Sequence, residues 1–496
     1  MNFGRLTLII NDIQNELNIL TNQDNTKSHK TNNIQLFNQN TIQLYAVTVY
    51  QNIKDTYPEI SLNNILDIFT RFFKNKYEFT SKLNFENGKK CFRNLDTKFT
   101  IDEINTSLIK IPKKYQKLEK HFQELFHTPQ PEQRTKEWFD FRYKRVTASD
   151  MATALDLNPY EPVETFIIKK CDPDFPFLDN KFVHHGKKYE PTATMIYEHI
   201  YNVKVTEFGI LSSPKYPILA ASPDGICSKS TLDGKFTDML GTMLEIKCPF
   251  SRSINTKGKI AGVICPYYYY CQVQQQLECC ELSKCDFWQC NIVEYNSRNE
   301  FIQDINFNSV LTEGTEGEKK EIDPLITRGC IIQLLPYDFT PTHSEDMREY
   351  KGSFLYPPRL DLTIEEYDNW VVETIANWQI DDPELAKKYY FDKVIYWKLP
   401  NSHNVTIHRD KEWFLQIYPI LNQTWENVEY YRNHPEELPF LKKKAEKRKR
   451  FYRYKTKFEL NKSYDGTNVV ENKILFLNDI VVNNSDEEDY DVDFVD

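Results

Sequence analysis

The chain has 496 residues, 40% hydrophobic and 14% aromatic, enough for two or three packed units rather than one. Its formal net charge of -10 is uneven: Asp486 to Asp496 hold seven acidic side chains and no basic one, so the rest carries about -3 and says little about partners. The 11 cysteines, odd in number and scattered, show no disulfide framework and point to reduced thiols in a cytosolic or nuclear setting.

In chain order, "LTLII" (Leu6 to Ile10) is apolar but stops at Asn11–Asp12, too short for a signal h-region or a membrane span. "LTLIINDIQNELNIL" and "NNILDIFTRFFKNKY" carry helical spacing, so residues 1–127 read as a mostly helical N-terminal domain, with an Asn-rich loop from Asn22 to Asn40. "HTPQPEQRT" has two prolines and no apolar residue, which marks a linker over 128–136. From 137 to 300 helical and strand-like patterns alternate. "FGILSS", "ILAASPDGIC", "MLEIKCPF" and "CDFWQCNIVEY" are the expected strands, and "EPTATMIYEHIY" and "YYYYCQVQQQLECC" the expected helices. Strands and helices mixed in this way predict an α/β or α+β core around one sheet. The acidic "TEGTEGEKKEID" reads as a loop. Residues 301–440 read as an α/β extension with helices at "TIEEYDNWVVETIANW" and "EWFLQIYPILNQTWENVEYY". Residues 441–496 are a basic segment with ten Lys/Arg between Lys442 and Lys457, followed by a disordered acidic tail. No internal repeat is visible.

The chemistry centres on "MLEIKCPF". In a strand, residues i and i+2 share a face, so Glu245 and Lys247 project together while Leu244, Ile246 and Cys248 face a core. Asp224, in "ASPDGI", ends another strand-like run 21 residues earlier. If the two strands are hairpin neighbours, Asp224, Glu245 and Lys247 meet at one point. Adjacent carboxylates repel unless a cation lies between them, and hard oxygen ligands suit Mg²⁺ or Mn²⁺. A lysine beside such a site completes the parts for metal-assisted phosphodiester hydrolysis. Alone, Glu-x-Lys is commonly a surface ion pair.

The ordered blocks "EWFDFRYKRVTASD", "HHGKKYEPTA", "ASPDGIC", "LEIKCPF" and "YYCQVQQQL", from Glu137 to Tyr295, resemble the YqaJ-like viral recombinase family. That family is typified by phage lambda exonuclease within the PD-(D/E)XK nuclease superfamily. The copies in large DNA viruses of eukaryotes fit the composition best. The resemblance implies a PD-(D/E)XK restriction-endonuclease-like core, with a mixed central sheet flanked by helices, over residues 137–300. It implies Asp224 and Glu245 as metal ligands with the Ile246 main-chain carbonyl, Lys247 as the water-activating lysine, and Glu190 at the start of a helix lining the metal site. By residue type alone, Glu190 also reads as a helix-start carboxylate favoured by the dipole.

Tyr269, Gln272 and Gln276 share a helical face at i, i+3 and i+7, with Tyr270, Val273 and Leu277 on the adjoining apolar stripe. The resemblance places Gln272 against the lysine and the attacking water. It also implies a pocket for a terminal 5′-phosphate, built from Arg142, Ser149 and Ser222 beside Trp138 and Thr147. An arginine fork with hydroxyls is a sound anion clamp. Tyr143-Lys144-Arg145 stand where the family usually has glycine after this arginine, so Arg145 is a further candidate for phosphate contact, and Tyr269 is a further candidate for DNA contact.

Taken together, the resemblance implies a 5′→3′ exodeoxyribonuclease acting on double-stranded DNA ends with Mg²⁺ or Mn²⁺, two ions per site. A single-strand annealing protein and a ring-shaped homotrimer are implied partners, with no membrane. The setting would be intracellular, in the host cytoplasm or nucleus or packaged in the virion, and not secreted. An endonuclease or RNA-degrading nuclease with the same core, or a non-catalytic DNA-binding scaffold, remain alternatives. Cys265, Cys271, Cys279, Cys280, Cys285 and Cys290 form no Cys-x₂-Cys pair and sit on apolar positions, so they read as buried thiols. His184–His185 reads as an exposed pair. The basic run suits DNA phosphates, a nuclear-import signal or a solvated helix end.

Overall fold

The structure, a computed structural model, describes residues 109–172, 175, 180–338 and 346–459. The expected N-terminal helical domain lies outside the described residues up to residue 108, as does the acidic tail. The chain divides into two units. One takes in residues 1–113 and 229–236. Within it Ser230 bridges Phe236, and Thr231 Oγ1 donates to Asp233 and accepts from the Lys235 N–H. Everything below concerns the other unit, residues 114–228 and 237–496.

Its first half runs α1 (Gln116–His127), α2 (Lys136–Tyr143), β1 (Val146–Thr147), α3 (Met151–Ala154), α4 (Val163–Cys171), α5 (Lys181–Tyr201), β2 (Val205–Thr206), β3 (Leu211–Ser212), β4 (Leu219–Ala221), β5 (Gly225–Cys227), β6 (Met243–Lys247), α6 (Tyr267–Cys279) and β7 (Lys284–Glu294). After it come α7 (Arg298–Gln303), β8 (Ser309–Glu313), β9 (Glu318–Ile322), β10 (Arg328–Pro336), β11 (Ser353–Leu355), α8 (Ile364–Asp381), α9 (Pro383–Lys388), β12 (Tyr389–His408), α10 (Lys411–Asn433) and α11 (Leu438–Glu459). Several boundaries follow from the sequence. Thr135 caps α2 by accepting from the Trp138 N–H, Asn180 caps α5 by accepting from the N–H groups of Phe182 and Val183, and Thr363 with Glu366 forms a full capping box on α8.

The main sheet has the order β11-β10-β12-β7-β6-β5-β2, with β8 on β12 and β9 on β8. It is mixed: β6 runs parallel to β7 and antiparallel to β5, so β5 and β6 are the expected neighbours. A separate three-stranded sheet has the order β1-β4-β3. The chain passes from β4 in the small sheet to β5 in the large one within Ser222-Pro223-Asp224. Pro223 lacks an N–H for a ladder, which ends one pairing and lets the next begin. Gly225 is needed just after it, because a Cβ there would overlap the Val205 side chain of β2.

Alternation along β6 sorts its side chains to two faces. Leu244, Ile246 and Cys248 pack with Tyr189, Ala193 and Tyr197 of α5 and Trp288 of β7. Burying a side chain such as Leu244 contributes roughly 1.5–3 kcal/mol. Glu245 points the other way, to α6. A second core joins α3, α4, α6, α10 and α11 through Phe166, Phe414, Leu421 and Trp425.

Four expectations need correction. The helix read as beginning at Glu190 begins at Lys181, so Glu190 lies inside it, next to Pro191. His184 and His185 are each only 8% exposed because that earlier start places them on the helix's inner side. "TEGTEGEKKEID" is mostly the β8–β9 hairpin rather than a loop, turned by Gly314 and Gly317, both at positive φ. "ILAASPDGIC" is two strands in two sheets, not one.

Candidate active site

The hairpin pairing of β5 and β6 brings Asp224 alongside Glu245 and Lys247. Asp224 Oδ2 accepts the Ile246 N–H at 2.7 Å, which fixes the carboxylate against the strand. Glu245 is fully buried, and Lys247 Nζ pairs with its Oε1. Burial alone would depress the Lys247 ammonium, but Glu245 and Asp224 outweigh it and hold its pKa above the ordinary value. The ammonium also lies 4.6 Å from the Tyr269 ring centroid.

From α6, Gln272 Nε2 donates to Glu245 Oε1 and Gln276 Nε2 to Glu245 Oε2, each at 2.6 Å. Those residues are four apart, one helical turn, which is why they reach the two oxygens of one carboxylate. Gln276 also donates to the Ser222 carbonyl at 3.2 Å. Gln275, turned to the small sheet, donates to the carbonyls of Val146 (2.8 Å) and Ala220 (2.9 Å). Three glutamines thus tie β6, the sheet switch and the small sheet to one helix.

Glu190 approaches the same centre from α5. Loss of surrounding water, opposed by Lys247 and reinforced by Glu245 and Glu207, pushes its carboxyl up to about 7. Its side chain reaches solvent, which leaves carboxylate repulsion as the firmer cause. Burial, then Glu245 and Glu190, raise the Asp224 carboxyl well above the usual range. With Glu245 and Glu190 disfavouring charge on Asp224, and Glu245 disfavouring it on Glu190, the three carboxyl groups offer the hard oxygens that a divalent cation takes. Among the described residues, no three acidic, histidine or cysteine side chains stand closed into a ligand cluster. The Glu245 oxygens are engaged by Lys247 and the two glutamines.

A second polar group lies where α2 ends. The Arg142 guanidinium sits 4.5 Å from the Trp138 ring centroid. Asp150 Oδ2 accepts from Thr147 Oγ1 (2.8 Å) and Lys170 Nζ (3.0 Å), and Lys170 Nζ also donates to the Arg142 carbonyl at 3.0 Å. Burial opposes the Asp150 charge, yet Lys170 and Arg142 hold its pKa well below the usual range. Ser149 is exposed, with its Oγ 3.3 Å from Thr147 Oγ1. Ser222 Oγ donates to the Phe208 carbonyl, so it does not join that network directly. Arg145 lies over the Phe141 ring and donates to the Phe141 carbonyl.

Sequence reasoning missed Asp150, Lys170 and Arg432. Arg432, on α10, donates to the Tyr143 carbonyl at 2.5 Å and to the Lys170 carbonyl at 2.7 and 2.9 Å, joining the ends of α2 and α4. Lys170 had a signal, a lysine within the apolar "TFIIKKC"; Arg432 had none, being 262 residues away from it. The six clustered cysteines are all buried free thiols. In the basic run, Leu441 and Ala445 are buried and Arg448 pairs with Glu164 and Asp156, while Lys442, Lys443 and Lys447 are exposed. No helix among the described residues is long and apolar enough to cross a membrane.

Comparison with known proteins finds two similar viral proteins and one solved structure. An uncharacterized protein of Acanthamoeba polyphaga mimivirus is 40% identical over 320 residues, 64% of this chain and 56% of that protein, so the chain spans little more than half of that relative's length. An African swine fever virus protein is 23% identical over 321 residues, covering 59% of this chain and 85% of that one. The crystal structure of an alkaline exonuclease from Laribacter hongkongensis aligns with 17% identity and a TM-score of 0.29, over 63% of this chain and 99% of the other. Residues 137–283 match the family model of the YqaJ-like viral recombinase domain, a span that runs from α2 through α6 and holds Arg142, Asp224, Glu245, Lys247 and all three glutamines. The chain therefore carries a YqaJ-like viral recombinase domain at residues 137–283.

Proposed function

We propose that this protein is a nuclease, and specifically a divalent-metal-dependent 5′→3′ exodeoxyribonuclease that acts on double-stranded DNA ends. It would leave 3′ single-stranded tails for viral recombination, replication or repair. The observation that carries the reading is the meeting of Asp224, Glu245, Lys247 and Gln272 at one point on adjacent strands and a covering helix.

Asp224, Glu245, the Ile246 carbonyl and Glu190 would hold Mg²⁺ or Mn²⁺. Bound there, the cation supplies Lewis-acid charge to a phosphodiester and its attacking water. Without it, Lys247 serves as the counter-charge of Glu245. Lys247, held beside Glu245 and Asp224, would stand next to the attacking water and move its proton. Gln272, neutral, would orient the water without competing for the metal. Arg142 and Ser149 would hold the terminal 5′-phosphate, with Asp150 and Lys170 fixing the turn that carries the arginine.

The test is digestion of 5′-phosphorylated linear and covalently closed circular duplex, with Mg²⁺ and with EDTA, and with end-labelled RNA in parallel. Linear DNA should shorten from its 5′ ends only with Mg²⁺ while circles persist. Cutting of circles, or preference for RNA, would replace the exonuclease reading with an endonuclease or RNA-degrading one.

A further inference from the structure

Beside the candidate centre, a row of tyrosines leads outward. Tyr269, whose ring stands 4.6 Å from Lys247 Nζ, is followed by Tyr268 at a ring-centroid distance of 4.2 Å and Tyr160 at a further 5.7 Å. Tyr160 is 58% exposed although its backbone is firmly held. Its N–H donates to Asn158 Oδ1 at 3.0 Å, Asn158 Nδ2 donates to Thr153 Oγ1 at 2.9 Å, and the same loop is closed by Asp156, at φ 55°, accepting from the Val163 N–H. The loop thus presents the ring to solvent in one place instead of letting it collapse onto the core.

The contact between Tyr160 and Tyr268 is edge to face, with rings 81° apart, and more than half of the outer residue's surface stays exposed. Cations sit at the inner end: Lys247, and Arg252, whose guanidinium lies 5.9 Å from the Tyr269 ring and is held by Gln289. An outward row of π faces with positive charge at its root matches what an unpaired nucleic-acid strand offers, bases that stack and a backbone that is anionic.

We propose that Tyr160, Tyr268 and Tyr269 form a nucleobase-stacking track that guides an unpaired strand to Lys247. The proposal rests on the nuclease reading for its biological use, but the track's ligand is defined by the rings. The phenol oxygen has no part in it, so phenylalanine replaces tyrosine at position 160 without loss, whereas leucine, apolar but without a π face, does not.

The experiment measures binding of the full chain, in EDTA, to a single-stranded oligodeoxynucleotide and to one of equal length with abasic sites in place of bases. The wild-type protein should bind the base-bearing strand at least about five-fold more tightly, the effect of one stacked base. Tyr160→Leu should lose most of that preference and Tyr160→Phe keep it, with thermal melts confirming that both fold. Equal affinity of the wild-type protein for the two strands overturns the track, and needs no variant to be seen. So does a Tyr160→Leu protein that still discriminates. Mg²⁺-dependent cleavage of linear duplex is scored separately. Cleavage with base-blind binding removes the track and spares the nuclease. Base-dependent binding without cleavage removes the nuclease reading and leaves the track standing.

Discussion

Gln276 Nε2 donates to Glu245 Oε2 at 2.6 Å, and both residues are fully buried. Gln276→Leu removes that donor where no water can replace it, and an unmet buried carboxylate oxygen costs about 1–3 kcal/mol or more. Urea melts should show a loss of that size. Unchanged stability would mean that the Glu245 oxygen finds another donor.

Lys247→Ala deletes the only ammonium bonded to Glu245 among the described residues. Hydrolysis of linear duplex should fall by about 10²–10⁴-fold, the usual worth of a positioned acid–base group. Electrophoretic shifts in Ca²⁺ or EDTA should show DNA binding nearly intact. A variant cutting at the wild-type rate would remove Lys247 from the mechanism.

Burial and the neighbouring carboxylates raise the proton affinity of Asp224 and Glu190, so adding Mg²⁺ near pH 8 should raise the melting temperature. Asp224→Asn keeps an oxygen for the Ile246 N–H but removes a charge. It should melt no lower than the wild-type protein in EDTA and lose the Mg²⁺-induced rise. A Mg²⁺ response that survives this change would place the cation elsewhere.

Arg142→Ala should abolish the preference for 5′-phosphorylated over 5′-hydroxyl ends. A charged hydrogen bond of about 1.5–3 kcal/mol corresponds to roughly 10- to 100-fold in KM. Arg432→Leu should act in the same direction but more weakly, because Arg432 holds the Tyr143 and Lys170 carbonyls and the Tyr143 ring behind the turn. If it lowers kcat and leaves the end preference untouched, it is a general packing residue.

His184 and His185 provide an acid-sensitive term. Burial first, and Lys188 next, lower both pKa values from 6.5 to about 4. The unfolded chain therefore takes up protons below 6.5 that the folded chain refuses until about 4. Their contribution is full above about 6.5 and is lost as the pH falls through about 4, on the order of 1–3 kcal/mol per ring. Urea melts at pH 7.5, 5.5 and 4.5 should steepen this way, and the His184→Phe/His185→Phe protein should lose less stability over that range.

The sequence by itself determined the faces. Alternation in "MLEIKCPF" sends Glu245 away from the core containing Leu244 and Ile246, and the period of α6 puts Tyr269, Gln272 and Gln276 on one side. Those are properties of a single element, so they can be read from a single stretch. The tertiary structure alone decided which elements meet. It split "ILAASPDGIC" between two sheets at Pro223, started α5 nine residues ahead of Glu190, and carried Arg432 to the carbonyls of Tyr143 and Lys170. Periodicity records which side of an element is buried, but not against what. Gln272 and Gln276 reach Glu245 from α6, and Lys170 reaches the Arg142 carbonyl from α4, so only packing brings these groups within hydrogen-bond reach.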